Sequence, residues 1–173
     1  MSIDRVYQMG DDALANLFEM AIDPIPYISQ VFDQTFVRVQ NVTIPASGAN
    51  TYEVNYKGIS ITKPGGIVDK PSEFTFDLRV DRNWAIYRAF LQWKNAIADT
   101  YSGIIGPDGP ANNNRANITV WAIQPNGDAI PEFGEWRFKG CFVQNVGDIG
   151  FDYTSGDPIT VTITMGTLGL DDT

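Results

Sequence analysis

FTFDLRVD, residues Phe74–Asp81, running straight into RNWAIYRAFLQWKNAIAD, residues Arg82–Asp99, decides the fold. In the first half Phe74, Phe76, Leu78 and Val80 fall on one side and Thr75, Asp77, Arg79 and Asp81 on the other, the period of two of a strand with one buried face. In the second half that order stops. Ile86, Phe90, Trp93 and Ile97 recur at i, i+4, i+7 and i+11, one stripe of a helix, with Asp81 placed as its N-cap and alanines at 85, 89, 96 and 98 favouring it. The Gly and Pro of TYSGIIGPDGP stop it. A helix laid on a half-apolar strand is the start of a sheet with one covered face.

Working outward, ITVTITM, Ile159–Met165, alternates as cleanly: Ile159, Val161, Ile163 and Met165 face a core, and Thr160, Thr162 and Thr164 form an uncharged row of hydroxyls on the far side. Further strands are expected at 17–22, 35–42, 51–56, 117–123, 136–142 and 149–153, separated by Gly, Pro, Asn and Asp clusters. The chain is expected to be mainly β with one flanking α-helix, two packed antiparallel sheets forming a sandwich or barrel. Two connections are long. Ile44–Pro71 holds a short β-like piece, Thr51–Thr62, bracketed by Pro and Gly, and is expected to project as a hairpin-like arm; Ile104–Arg115 reads as a surface loop.

With 173 residues the chain suits one domain, 1–173, with an N-terminal arm over about 1–15 and the projecting loop over about 44–71. Its start lacks the basic, apolar and small-residue sequence of a secretory signal, so no export by that route is expected, and no apolar run approaches the length of a membrane span. The formal net charge is −9, and both ends are acidic. Residues 1–33 hold six acids and one base, and residues 140–173 hold five acids and no base. Such a balance repels nucleic acid rather than gripping it.

Catalytic chemistry finds no footing. The chain has no histidine, its single cysteine, Cys141, sits in a strand-like context and reads as a buried structural thiol, and Asp11-Asp12 and Asp171-Asp172 lie near the ends, where nothing rigid holds a pair. No catalytic residue, cofactor or metal is expected. Trp84, Trp93, Trp121 and Trp136 suggest a carbohydrate platform as the alternative function, a sugar-binding β-sandwich module, although Trp93 lies on the helix stripe and Trp136 alternates with Phe138 as core residues do.

The order of elements carries a resemblance. Ala15–Ile22 with its Asn-Leu-Phe opening, a strand ending Val42-Thr-Ile-Pro45, a long arm, a strand into one helix with Phe90-Leu-Gln-Trp93, then Lys139-Gly140 and Val146-Gly-Asp-Ile149, and a last alternating strand resemble the tail-tube proteins of contractile-tailed bacteriophages over about residues 15–170. The tubes of type VI secretion systems and contractile bacteriocins are related to these. The resemblance implies a structural protein and not an enzyme. It implies hexameric rings whose sheets merge into a barrel lumen and stack into a tube for DNA ejection into the host. The partners it implies are further copies of the chain and the tail sheath, baseplate, tape-measure and tail-terminator proteins. DNA would pass without specific binding, and the protein would stay out of membranes, in a virion tail assembled in the host cytoplasm. On this footing Asn50, Tyr52, Glu53, Tyr56, Lys57 and Lys63 are candidates for contact between rings. Asp148, Asp152, Asp157, Thr160, Thr162 and Thr164 are candidates to line or flank the lumen, where a wall without cations gives passing DNA nothing to hold.

Overall fold

Period-two segments pair where their apolar sides can meet, and they do so here around one core. The computed structural model describes residues 15–25, 38–46, 48–98, 114–124, 127 and 134–172. Among them are β1 (Phe18–Ile22), β2 (Val39–Thr43), β3 (Gly48–Tyr56), β4 (Ile59–Asp69), β5 (Glu73–Arg79), α1 (Ala85–Ile97), β6 (Ala116–Ala122), β7 (Glu135–Val146), β8 (Thr160–Gly166) and β9 (Gly169–Asp172). The expected N-terminal arm lies almost wholly outside the described residues, as does most of the expected 104–115 loop.

Among the described residues seven strands make an antiparallel sheet, ordered β1-β6-β7-β8-β5-β2 with β9 beside β7, while β3 and β4 pair only with each other. Leu78, Phe76 and Phe74 of β5 stand opposite Val161, Ile163 and Met165 of β8, and all six are buried. The alternate pairs Arg79–Thr160, Asp77–Thr162 and Thr75–Thr164 occupy the other face. Long β7 serves both halves of the sheet. Its first part ladders with β6 and β9 and its last part with β8, and between them sits Gly140 at φ 58°. There the register with β6 shifts, so side chains take over from the broken ladder: Asn117 Oδ1 accepts from the Gly140 amide at 3.2 Å, and Arg115 Nη1 donates to its carbonyl at 3.0 Å. The left-handed backbone angle favours glycine here, and a Cβ would lie 2.5 Å from Cδ1 of the exposed Leu168 side chain, which would have to move aside.

Helix α1 lays Ile86, Ala89, Phe90 and Trp93 onto the sheet. It begins at Ala85, three residues later than the sequence pattern suggests. Arg82-Asn83-Trp84 make a tight turn instead, closed by the Trp84 amide on the Asp81 carbonyl at 3.0 Å, with Trp84 at φ 59°. The capping position is therefore Trp84, not Asp81. Asp81 still does the capping chemistry from farther back, its two carboxylate oxygens accepting from Ala85 N at 3.1 Å and Ile86 N at 3.0 Å.

A second correction concerns 149–153, expected as a strand and found as part of an irregular loop, 147–159. Ile149, Phe151 and Tyr153 alternate, yet Phe151 is 76% and Tyr153 109% exposed, so no apolar side forms. Local bonds hold the chain in turns instead: Asp152 Oδ1 accepts from both the amide and the hydroxyl of Thr154 at 2.8 Å, and Ser155 Oγ donates to Asp157 at 3.0 Å. The four-residue β9 has no counterpart among the expected strands.

Burial pushes the Asp81 carboxyl up, but four backbone amides, those of Ile86, Ala85, Asp81 and Asn83, together outweigh it and leave the pKa below the ordinary 3.8. The folded value is depressed, so Asp81 stabilises the protein fully above the unfolded value, and this support is lost as pH falls through the folded one. Asp81→Ala should cost about 1–2 kcal/mol in urea unfolding at pH 7. The gap between wild type and variant should narrow as the pH is taken below 3.8.

Candidate functional site

Three solvent-facing surfaces collect the side chains singled out above, and none has the makings of a reaction centre. Among the described residues no three His, Cys, Asp or Glu side chains gather as a metal site. Cys141 is fully buried at the β7 bulge, and loss of solvent pushes its thiol up to about 12. A sugar platform is not offered by the indoles: Trp93 is buried and Trp84, Trp121 and Trp136 are half-buried.

The first surface is the β3–β4 ribbon. Lys57 and Gly58 join its strands with φ 51° and 81°, both left-handed, which is the two-residue turn whose twist suits a hairpin. That turn sets the pairs Tyr56–Ile59, Val54–Ile61 and Tyr52–Lys63 on one side and Asn55–Ser60, Glu53–Thr62 and Thr51–Pro64 on the other. One side is apolar and open to water: Tyr52 is 52%, Tyr56 63%, Ile59 65% and Ile61 48% exposed. The other side is polar, with Ser60 Oγ donating to Glu53 Oε2 at 3.2 Å. Of the six candidates, Tyr52, Tyr56 and Lys63 share the apolar side, Lys57 stands at the turn with its ammonium 5.3 Å from the Tyr56 ring, Glu53 lies on the polar side, and Asn50 sits where the register shifts beside Gly65. Val54, Ile59 and Ile61 belong with the apolar group and were missed. Reading alternation across the Lys57-Gly58 turn, rather than within one strand, finds them.

The second surface is the outer side of β2, β5 and β8. Thr162 Oγ1 donates to Asp77 Oδ1 at 2.6 Å, and Asn41 Nδ2 donates to the other oxygen of that carboxylate at 3.4 Å. The Gln40 amide, oriented to satisfy both neighbours, donates to Thr160 Oγ1 at 3.1 Å and accepts from Arg79 Nη2 at 2.6 Å and Nε at 3.1 Å. Thr164 stands between Thr75 and Asn145. Hydroxyls and amides thus dominate the face, and its central carboxylate and its arginine are each held by a neutral side chain. Arg79 is a base on a face expected to have none, because the sequence pattern was weighed for the C-terminal strands alone.

The third surface is the 147–159 loop, which carries Asp148, Asp152 and Asp157, all exposed. The six lumen candidates therefore divide, with three threonines in the sheet and three acids beyond its end. Hydrogen bonds from the Thr154 amide and hydroxyl hold the Asp152 carboxyl below the usual range. Phe151 leans on the start of α1, its ring 6.0 Å from Trp84, which meets Tyr87 edge-on at 5.7 Å. A cleft of about 310 Å³ opens among Phe151, Asp152, Ser155, Asp157, Pro158 and Thr160.

No known family profile and no curated protein matches the sequence. The architecture does have counterparts. A chain of the PVC sheath–tube complex, an extracellular contractile injection system in its extended state, superposes with a TM-score of 0.63 over 99% of this chain and 97% of its own, at 15% identity. The fold is that of contractile-tail tube proteins. A chain of the PVC sheath/tube terminator gives 0.65 over 94% of this chain and 97% of its own, and one from the tube-terminating cap of the anti-feeding prophage gives 0.67 over 94% and 91%, each at 16% identity. These relatives in shape are structural parts of injection machines and not enzymes.

Native Cys141 should resist iodoacetamide at pH 8, since it is buried and its thiolate fraction is minute. Mass spectrometry should show no adduct on the folded protein and one per chain in guanidinium.

Proposed function

We propose that the chain is the inner-tube protein of a phage contractile tail, closing into hexameric rings that stack inside a sheath as a conduit for DNA ejection into the host. The observation that carries this is the outer face of β2, β5 and β8, a wall rich in hydroxyls and amides in which Asp77 and Arg79 are held by neutral side chains. A duplex carries about one charge per 1.7 Å, and every exposed cation along its path would add a phosphate contact and slow it. Thr160, Thr162 and Thr164 line this wall, and Asp148, Asp152 and Asp157 flank it at its end. The fold shared with tube, terminator and cap chains supports the same reading.

Assembly follows from what the monomer leaves open. Among the described residues the sheet ends at β1 on one side and β2 on the other, so a ring of copies can continue it edge to edge. The ribbon leaves its apolar side uncovered, and Tyr52, Tyr56 and Lys63, with Asn50, Glu53 and Lys57 around them, make contact with a neighbouring ring. In this role the protein works in the virion tail, assembled in the host cytoplasm beside sheath, baseplate, tape-measure and terminator proteins.

Electron micrographs of the purified protein should show six-fold rings and tubes; monomers alone at high concentration would overturn the proposal. Replacing residues 50–65 with a short Gly-Ser turn should leave rings that do not lengthen into tubes. In phage, Thr164→Lys puts a cation between the neutral Thr75 and Asn145. Tubes should form normally while DNA delivery slows at low salt and recovers as salt is raised. Unchanged delivery would remove Thr164 from the wall.

A further inference from the structure

The ribbon and the 147–159 loop leave opposite ends of one sheet. Strand β2 reaches its last residue, Thr43, opposite Thr75, and β4 returns to β5 at Glu73, so the ribbon departs from the Glu73 end. Strand β8 begins at Thr160, opposite Arg79, so the loop arrives at the other end. Each end is unfinished in a complementary way. The ribbon offers an uncovered apolar side with Lys63 on it and Lys57 at its tip. The loop offers two exposed aromatic rings, Phe151 and Tyr153, three acids with no base, and a cleft walled by Phe151, Pro158, Asp152 and Asp157.

From this complementarity we infer that the 147–159 loop is the socket for the ribbon of a second copy of the chain. The tip side chains Tyr56 and Ile59 seat against Phe151 and Pro158, while Lys57 and Lys63 face Asp152 and Asp157. The inference rests on the stacked-ring proposal and adds the receiving surface to it. Because plug and socket lie at opposite ends of one molecule, the contact is head to tail and uses up neither end of the growing stack, which is the condition for an open filament rather than a closed pair. Water leaves the apolar side of the ribbon and the two aromatic rings together, and the charges meet at the edge of the contact, where they set register and orientation more than strength.

The test uses the full chain with Ile59→Cys and Phe151→Cys together, oxidised after assembly and run on a non-reducing gel. Cys141, being buried, serves as a silent background. The expected result is a ladder extending past the hexamer, with neither single variant giving one. Tubes in the micrographs without a ladder, or a ladder that stops at the hexamer, would overturn the socket while leaving the tube proposal standing. Wild-type protein that forms no rings or tubes would remove both. Charge reversal guards against a double variant that misfolds: Lys57→Glu with Lys63→Glu should leave rings but cut tube formation at least tenfold at low salt. Adding Asp152→Lys and Asp157→Lys to the same chain should restore it. Failure of that restoration while rings persist would also overturn the socket.

Discussion

A run of aromatic rings ties the sheet of this protein to its helix. Phe138 of β7 stacks on Phe74 of β5 at 3.9 Å between centroids, Phe74 neighbours Phe76 at 6.2 Å, Phe76 meets Phe90 of α1 at 5.9 Å, and Phe90 lies 6.2 Å from Trp93. Each such pair contributes about 0.5–1.5 kcal/mol beyond the area it buries. The indole of Trp93 also donates to the Asn114 carbonyl at 2.8 Å, so the run ends on the residue that leads into β6. Held this way, α1 packs its Ile86, Ala89, Phe90 and Trp93 against the core side of the sheet, while Thr75, Asp77 and Arg79 of β5 lie on the other.

That division explains where the charge can go. With the covered side filled by apolar residues, hydroxyls, amides and the few ionised groups of β2, β5 and β8 are forced onto the open side, where Asp77 and Arg79 find Thr162, Asn41 and Gln40. Three further acids, Asp148, Asp152 and Asp157, lie in a turn-rich loop, where Asp152 and Asp157 accept from nearby amide and hydroxyl groups. An ion pair does occur on the far part of the sheet, between Lys139 and Asp171, both well exposed, where it adds little to stability.

Much of this was legible in the residues, and the exceptions have physical causes. Strands β5 and β8 show strict alternation, because one side is buried along their whole length, and the α1 stripe is as clear for the same reason. The 149–153 segment alternates too, but alternation reports a strand only when a partner face exists, and side-chain bonds within 152–157 won instead. The start of α1 was misplaced because a carboxylate can cap from four residues back when a left-handed residue, here Trp84, folds the chain over it. The site was legible in part. The threonine row follows from period two, and Tyr52, Tyr56 and Lys63 from their place in the arm. Ile59 and Ile61 depend on a register set by a Lys-Gly turn, a weaker signal than the Asn-Gly that usually marks such turns. Arg79 shares a face with the threonines only through pairing across 81 residues of chain, which no local pattern reveals.

The ribbon has one more property. Its pairing is set by its own turn and its own cross-strand partners, and among the described residues it has no ladder to the seven-stranded sheet. Its length is thus independent of the core, within a parity rule. Adding one residue to each arm exchanges the sides beyond the insertion and turns the apolar surface away, whereas adding two to each arm lengthens the reach by about 7 Å and keeps every side chain on its side. Variation can therefore tune how far one copy extends without disturbing the domain that carries it, provided the ribbon grows in steps of two.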